Sequence, residues 1–515
     1  MPRWLEAALA CTAPDPDRPG PGATTETTIT RPTTSSTAPQ CTVEPTPAPL
    51  AARLVCPDAT PYDVRWDDGR TERHYEGPDV THRILAGMDP SSVVRIVVSN
   101  GHHEQALTFL SGDLPAGYFP DVDVLSDDPA RRAEGWTLLA PRLVTGGALL
   151  MAFDEGWMPV WVFETALAVN DIEADGTGIL GVGGHLVASW NWAGDTTGRW
   201  HPRPNPDPEA IEVPVDGLAF HHEVGFWHGD IYALSQTTTE AENFPLSYDD
   251  PAVSGPATLA ADQLVRFSRD GLDASVLVDF PSVLDAQRIG YDSLTNNEGA
   301  LDWTHANAAS RLPTDDGWLL SARHQDAVFA VDDAGEVSWI LAPGANWGAL
   351  HAGKLLASDD PPYHAHSPSF APDGSLLVFD NHVVLASPWT GEIPIKNQDS
   401  VARAIAFDVD LTARTATSTL RFDASALGTF ASPIVGDVDA LPNGNWLALF
   451  GAVTHVGGEP VEAIGYEGRL IRLVEVDPLT GDVVSDVQLS SLLGASPGGW
   501  LSYRAHRYPG SFPPY

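Results

Sequence analysis

Three histidines and one arginine are the residues of this 515-residue chain that are best suited to chemistry. His222, His305 and His366 each lead a segment of the same kind: a small or apolar stretch, a turn with glycine, then an apolar strand. Arg323 lies in the string SARHQ, at the end of the strand that begins near His305. A neutral imidazole can act as nucleophile, base or acid near pH 7, and a guanidinium matches the oxygens of sulfate or phosphate. Together the four residues indicate group transfer on an oxyanion.

Two other interpretations of the histidines stay open at this point. Zinc is often held by three imidazoles, and histidines at equivalent positions can also be packing residues around a solvent-filled channel. Arg323 argues against the metal, because a cation beside a divalent ion is repelled. His324 follows Arg323, and His364 points the same way as His366 on a strand, so we predict that both contact the substrate.

The elements that must position these residues are predicted to be short β-strands. The chain has 46 Gly, 44 Pro and 16 Trp, which is typical of strands joined by tight turns. Four segments share the template described above: residues 220–235, 304–322, 365–381 and 435–450. A β-propeller brings equivalent positions of successive blades around one channel. We therefore predict an all-β fold, a six-bladed β-propeller preceded by a small β-sandwich-like domain.

The predicted domains follow changes of composition along the chain. Residues 1–49 are rich in Pro and Thr and are predicted to be a disordered tether. Residues 50–114 show alternating apolar and polar positions, which predicts the small β-sandwich-like domain. Residues 115–515 form the predicted propeller, with short helical turns expected over 258–270 and 283–289.

The charge balance excludes several classes of partner. The formal net charge is −41, which argues against nucleic acid and against an anionic membrane surface. A small anionic substrate remains compatible with this charge, because a few well-placed cations reverse the potential locally. The chain has no apolar run of about 18 residues, so no transmembrane span is predicted.

The N-terminus carries two features that bear on the compartment. Residues 1–11 resemble the end of a bacterial lipoprotein signal, with Cys11 as the lipid-bearing residue; the alternative is a mis-assigned start site. Cys41 and Cys56 bracket a short loop, and in an oxidising compartment they can pair; the alternative is two free thiols.

Several ordered motifs resemble those of a known family. The segment DWTHANAASRLPTDDGWLLSARHQDAVFAVDDAGEVSWIL (302–341) resembles the bacterial aryl-sulfate sulfotransferases, whose motif runs D-W-x-H-x-N, then S-x-R-H-Q, then Trp-Ile-Leu. FHHEVGFWHGDIYAL resembles the family's H-H-D segment, and AHSPSFAPDGSLLVFDN resembles its Q-H segment. SYRAHRYP resembles the closing Tyr-Arg segment. The similarity spans roughly residues 220–507, and several ordered motifs are far more specific than one.

This resemblance implies a role for each matching residue. His366 matches the histidine that becomes transiently sulfated, His222 and His305 match two supporting histidines, and Arg323 matches the sulfate-binding arginine. Two positions depart from the family pattern: Ala365 stands where Gln is usual, and Glu223 stands where Asp is usual. Both adjoin a key histidine, so they bear on substrate choice or activity.

The resemblance also implies a reaction and a location. A sulfuryl group passes from a phenolic sulfate ester to a phenol acceptor by ping-pong chemistry through a sulfo-histidine, with no metal, no cofactor and no nucleotide sulfate donor. The implied location is the bacterial periplasm or envelope, which agrees with the lipid anchor that residues 1–11 indicate at Cys11. The alternative from another class is a non-catalytic envelope propeller that binds a ligand or protein partner. The sequence does not fix the oligomeric state, and a homodimer stays open.

Overall fold

The protein is built almost entirely of β-strands. The computed structural model describes residues 38–115, 119–143, 147–297, 299–428, 431–456, 459–460, 469–490 and 499–514. Its described helices are short: the α-helices Phe280–Val283 and Ala349–Ala352, and the 3-10 helices Arg323–Gln325, Asn397–Asp399 and Ala424–Leu427. Within this part of the chain, no helix has the length and apolar content needed to cross a membrane. The predicted lipid anchor Cys11 lies outside the described residues.

Two small sheets form the N-terminal part of the fold. One contains the strands Thr42–Pro45, Ala51–Val55 and His82–Ala86, and the other contains Asp63–Asp67, Glu72–His74, Val93–Ser99 and Glu104–Leu110. Their inward side chains, among them Trp66 and Leu85, form one buried cluster. Cys41 and Cys56 belong to this buried cluster and are joined by a disulfide. Thr42–Pro45 lies inside the predicted tether but pairs with Ala51–Val55, so this part of the predicted tether is a strand of the N-terminal sheet.

Six sheets of four to six strands, here numbered I to VI, make up the rest of the described chain. Sheet I contains Trp136–Leu139, Arg142–Leu143, Ala148–Phe153, Pro159–Thr165, Trp500–Leu501 and Ala505–Tyr508; sheet II contains Val169–Asp175, Gly178–Gly183, Leu186–Asn191, Thr196–Arg203 and Ile211–Asp216. Sheet III contains Ala219–Trp227, Asp230–Pro245, Ser254–Phe267, Ala274–Asp279, Asn296–Asn297 and Ala300–Asp302; sheet IV contains Ala306–Arg311, Gly317–Ala322, Ala327–Asp332 and Val337–Leu341. Sheet V contains His366–Phe370, Leu376–Asp380, Arg403–Asp410 and Thr415–Asp423; sheet VI contains Asp121–Asp127, Asp437–Ala440, Trp446–Val453, Leu470–Asp477 and Asp482–Ser490. A two-strand hairpin of His455–Val456 and Glu459–Pro460 follows the sheet VI strand Trp446–Val453 in the chain.

The sheets are joined face to face by apolar clusters. One buried cluster combines side chains of sheets III and IV, the next combines IV and V, and another combines V and VI. Sheets I and II, II and III, and VI and I share clusters in the same way. The all-β, propeller-like fold is thus confirmed. The count of six blades stays a prediction, since residues 461–468 and 491–498 lie outside the described residues.

Strands from distant parts of the chain complete two of these sheets. Asp121–Asp127 pairs with Asp482–Ser490 in sheet VI, and Ala505–Tyr508 pairs with Trp136–Leu139 in sheet I. Such pairing removes an exposed sheet edge at the point where the two ends of the domain meet. The segment 499–508 is thereby brought to the strands that lead the other sheets.

One predicted helical segment is a strand instead. Residues 258–267 belong to Ser254–Phe267, which pairs along nearly its whole length with the long strand Asp230–Pro245. The helix Phe280–Val283 ends where the second predicted turn region begins. Cross-strand pairing thus decides the structure of 258–267, against its weak local preference for helix.

The leading strands of successive sheets lie side by side. Ala219–Trp227 contacts Ala306–Arg311, which contacts His366–Phe370, which in turn contacts Asp437–Ala440. Side-chain hydrogen bonds cross between them, from Asn307 Nδ2 to the Ala365 oxygen at 2.8 Å and from Ser367 Oγ to the Gly436 oxygen at 3.0 Å. Residues that begin these strands are therefore brought together around one axis.

Candidate active site

The structure brings the three predicted histidines into one cluster. The rings of His222 and His305 are 5.0 Å apart between centroids. The ring of Tyr503 lies between His222, at 5.3 Å, and His366, at 5.5 Å. His324 stacks on His305 with 4.4 Å between the ring centroids. The histidines that occupy equivalent positions in the repeated segments thus lie close together in the structure.

Each of the three leading strands is irregular where its histidine lies. The register shifts between His221 and Val224, between Ala306 and Ala308, and between His366 and Ser369. His222 has φ 58° and His305 has φ 46°, a left-handed conformation that is uncommon outside glycine. A bulge of this kind redirects a side chain out of the alternation of its strand. Here the repeated irregularity accompanies the side chains that form the cluster.

His366 is buried and is held by a neutral partner. Its Nδ1 lies 2.6 Å from Oδ1 of Asn381, and the residue is 2% exposed. Burial, followed by the charges of Arg323 and Arg504, holds the pKa of His366 well below its usual range. The imidazole of His366 is therefore neutral at pH 7.

His305 is held by a charged partner. Its Nδ1 lies 2.7 Å from Oδ2 of Asp302. Burial would raise the pKa of Asp302, but the His305 ring and its hydrogen bond outweigh that effect and lower the pKa to about 2. The carboxylate at Nδ1 fixes the orientation of the His305 ring, so that contact with a bound group would be made through Nε2.

His222 has another imidazole as its nearest polar neighbour. Its Nδ1 lies 2.8 Å from Nδ1 of His221, and His221 in turn lies 3.1 Å from a carboxylate oxygen of Asp262. Burial and the neighbouring histidines hold the pKa of His222 well below its usual range. His222 is therefore a second neutral imidazole in the cluster.

Arg323 provides a cation with few competing contacts. The 3-10 helix Arg323–Gln325 follows the strand Gly317–Ala322, and the Arg323 backbone nitrogen donates to the His305 oxygen at 3.2 Å. Its guanidinium has two long contacts, 3.5 Å to the Pro433 oxygen and 3.5 Å to Oδ2 of Asp292. Its buried Nε has no hydrogen-bond partner among the described residues. The two Nη atoms are thus held only by long contacts, which suits an arginine that binds an anionic group.

His364 and His324 are also buried. His364 is 0% exposed, and its two ring nitrogens lie 2.8 Å from Asp326 and 3.4 Å from Asp292. Burial and Arg323 oppose protonation of His364, but the two carboxylates outweigh them and raise its pKa. His324 is directed at the Asp302 backbone oxygen, 2.6 Å from its Nδ1. Substrate contact by His364 and His324 stays a prediction.

Several residues of the cluster were not predicted. The motifs quoted above contain four of them: Asp302, Asn381, Tyr503 and Arg504. Their place in the same motifs as the site residues is the signal that could have identified them. Asp292 lies outside every quoted motif, in the loop between Phe280–Val283 and Asn296–Asn297.

Glu223, which stands where the family usually has Asp, forms an ion pair with Arg504. Arg504 Nη2 donates to Oε2 of Glu223 at 3.0 Å, and the same nitrogen lies 3.0 Å from the Asn307 oxygen. Burial and Asp171 raise the pKa of Glu223, although Arg504 opposes this. Glu223 therefore ties the closing segment to the strand that carries His222.

Among the residues that the structure describes, two groups of side chains have metal-ligand chemistry. Asp302, His305 and His324 form one, and Asp437, Asp439 and His506 form the other, each with ligand atoms within 4.8 Å of one another. Neither is the predicted trio of His222, His305 and His366. Both groups are internally hydrogen-bonded, since His305 faces Asp302 and His506 Nδ1 lies 3.2 Å from Asp439.

A propeller-like fold with clustered imidazoles beside an arginine defines a class of protein suited to transferring an anionic group. The arylsulfotransferase (ASST) family matches residues 209–503, which is more than half of the chain, and the chain belongs to this family.

Individual relatives match shorter stretches. The arylsulfate sulfotransferase AssT of Escherichia coli O6:H1 (strain CFT073) is 25% identical over 209 residues, which cover 35% of this chain and 33% of that protein. The arylsulfate sulfotransferase AssT of Lelliottia amnigena is 32% identical over 100 residues, covering 16% of this chain and 17% of that protein. The chain thus matches a third or less of the length of these curated relatives.

Solved structures resemble the chain only distantly. A protein of unknown function from Bacteroides caccae has a TM-score of 0.35 and 11% identity, over 69% of this chain and 94% of its own. Hsv2 of Kluyveromyces lactis has a TM-score of 0.28 and 8% identity, over 92% of this chain and 100% of its own.

Proposed function

We propose that the protein is an aryl-sulfate sulfotransferase that moves a sulfuryl group from a phenolic sulfate ester to a phenol through a sulfo-histidine at His366. The observation that carries this proposal is a buried, neutral His366 beside the incompletely engaged guanidinium of Arg323. Membership of the arylsulfotransferase family supports the substrate class.

The first half of the proposed reaction sulfates the enzyme. The lone pair of His366 Nε2 attacks sulfur, the N–S bond forms and the bond from sulfur to the aryl oxygen breaks. Arg323 holds the non-bridging oxygens, where two donors of a guanidinium fit a planar pair of acceptors. The His305 imidazolium, stabilised by Asp302, gives its Nε2 proton to the departing phenolate.

The second half returns the enzyme to its starting state. Neutral His305 takes the proton of the acceptor phenol, whose oxygen attacks sulfur. The N–S bond breaks and its electron pair returns to His366 Nε2. We assign the acid and base role to His305 rather than His222, because only His305 has a carboxylate at Nδ1. This division of labour gives ping-pong kinetics.

The decisive experiment exposes the protein to an aryl sulfate with and without a phenol acceptor. We expect continuous phenol release only with the acceptor, and a mass increase of one SO3 on the histidine peptide containing His366 when the donor is present alone. His366→Asn should abolish both while leaving the circular dichroism spectrum unchanged. The matched control is His228→Asn, at an exposed turn histidine whose side chain is 69% exposed.

The outcomes separate the candidate functions. Continuous release without acceptor would indicate a sulfatase, and no release would favour the non-catalytic envelope propeller. Near wild-type turnover in His366→Asn would contradict the nucleophile assignment.

We further propose that the protein is exported to the bacterial envelope. The disulfide between Cys41 and Cys56 supports an oxidising compartment. Lipidation at Cys11 and a homodimer stay predictions. Mass spectrometry of the membrane fraction tests the first, and light scattering of the purified protein tests the second.

A further inference from the structure

We propose that Asn381 is a positioning residue that fixes His366 with its proton on Nδ1, so that the Nε2 lone pair is directed at the substrate. This inference rests on the proposed function, since it explains how His366 is prepared for attack on sulfur. Asn381 is 0% exposed and lies directly after the strand Leu376–Asp380.

The orientation of the Asn381 amide follows from its partners. Its Nδ2 donates to the Ser432 oxygen at 2.7 Å and to the Val435 oxygen at 2.9 Å. Both partners are backbone carbonyls, which only accept, so the NH2 group must face them. The amide oxygen therefore faces His366 Nδ1 at 2.6 Å, and an oxygen acceptor requires a proton on that nitrogen.

The backbone beside Asn381 is held firmly by its neighbour. Asp380 is fully buried, and its Oδ2 accepts from Nε of Arg403 at 2.9 Å. Its Oδ1 accepts from the backbone nitrogens of Tyr363 and His382 at 2.9 and 2.8 Å. A positioning group works only if its own geometry is fixed, and these bonds fix it.

The two site histidines differ in the charge of their positioning partner. His305 has the carboxylate of Asp302 at Nδ1, whereas His366 has a neutral amide. A carboxylate favours the protonated imidazole much more strongly than an amide does. The amide therefore orients His366 while leaving the ring neutral, with a lone pair on Nε2, which a nucleophile requires and a proton carrier does not.

The charged and titratable groups that face His366 act in the same direction. The cations Arg323 and Arg504 oppose its protonation, as does the neighbouring imidazole of His305. The other titratable groups around it are His222 and Tyr503. Among these groups none is a carboxylate directed at Nδ1 of His366.

The first test replaces the amide by an isosteric carboxylate, Asn381→Asp. We expect the acid limb of kcat/KM for the aryl sulfate to move upward by about one to three pH units, because the new charge favours imidazolium. Activity should be depressed at pH 6 and recover toward pH 9. The matched control is Asn443→Asp, which adds the same charge at an exposed turn of sheet VI and should leave the profile unmoved. An unchanged acid limb in folded Asn381→Asp would overturn the proposal.

A second measurement does not depend on the variant or on turnover. In the wild-type protein labelled with 15N-histidine, we expect His366 to show a protonated Nδ1 and an unprotonated Nε2 at pH 7.5, assigned by loss of the signals in His366→Asn. The opposite tautomer would refute the role of Asn381 even if the enzyme transfers sulfate. Absence of sulfuryl transfer with the expected tautomer would instead refute the proposed function alone.

Discussion

We predict that Asp292 competes with an anionic substrate for the guanidinium of Arg323. Its carboxylate lies 3.5 Å from Arg323 Nη1 and 3.4 Å from His364 Nε2. The hydrogen bond to His364 and the charge of Arg323 hold the pKa of Asp292 well below its usual range, so it is ionised at neutral pH. A sulfate ester that binds Arg323 meets this negative charge. We therefore expect Asp292→Asn to raise kcat/KM for the aryl sulfate donor.

The substitution is conservative in shape and backbone. Asp292 has φ 72°, and Asn adopts this left-handed conformation about as readily as Asp does. At 3.5 Å and an effective dielectric constant of about 20, the attraction of two unit charges is about 5 kcal/mol. Because the Asp292 side chain is 49% exposed, we expect solvent screening to reduce the net electrostatic effect of Asp292 on donor binding to about 1 kcal/mol. That energy corresponds to about a fivefold increase in kcat/KM for the donor.

The assay follows initial rates of phenol release over a range of aryl sulfate concentrations at saturating acceptor. The gain should appear in kcat/KM for the donor, and it should shrink at high salt because the interaction is electrostatic. Asp315→Asn is the matched control, since Asp315 also has a positive φ, 54°, and pairs with Arg311 at 2.8 Å. A lowered kcat/KM in Asp292→Asn would refute competition and show instead that the carboxylate holds Arg323 in its working position.

Three further predictions concern other parts of the protein. Because burial lowers the pKa of His366, its neutral form persists below pH 6.5, and the acid limb of kcat/KM for the donor should lie below that value. Asp302→Asn should lower kcat by about 100-fold with weakly acidic acceptor phenols, because His305 loses the partner that stabilises its imidazolium. Reduction of the disulfide Cys41–Cys56, which closes a separation of 15 residues, should lower the free energy of unfolding of the N-terminal part by about 3 kcal/mol and leave kcat unchanged.

Each of these three predictions has an outcome that would contradict it. An acid limb above pH 6.5 in a pH–rate series would show that His366 is not the neutral group assumed. Equal losses with strongly and weakly acidic phenols would mean that His305 is not the proton carrier. A denaturant midpoint that does not respond to reductant would show that the disulfide leaves the stability unaffected.

The sequence predicts the central cluster well because a repeat relates its members. His222, His305 and His366 lead equivalent strands, and equivalent positions of successive blades converge. The bulges that redirect these side chains have no comparable signal, because they depend on pairing across strands rather than on local residues.

Other features depend on contacts that no repeat encodes. Asp292 reaches Arg323 from a loop inserted between two sheets, and nothing near it in the chain marks that contact. Residues 258–267 form a strand rather than the predicted helical turns because they pair with Asp230–Pro245, a contact that the local sequence does not show. Thr42–Pro45 looks like tether by composition and becomes a strand because it pairs with Ala51–Val55.

The closing segment of sheet I sets an order of assembly for the site. Tyr503 donates its hydroxyl proton to the oxygen of Asn307, 196 residues earlier, and Arg504 reaches Glu223 across 281 residues. Contacts of such sequence separation form late and slowly in folding, since long loops must close first. A nascent chain that ends before residue 503 can pair the strands around His222 and His305, but it lacks the Tyr503 ring that lies between His222 and His366. The cluster of His222, His366 and Tyr503 is therefore completed only when the closing segment of sheet I is in place.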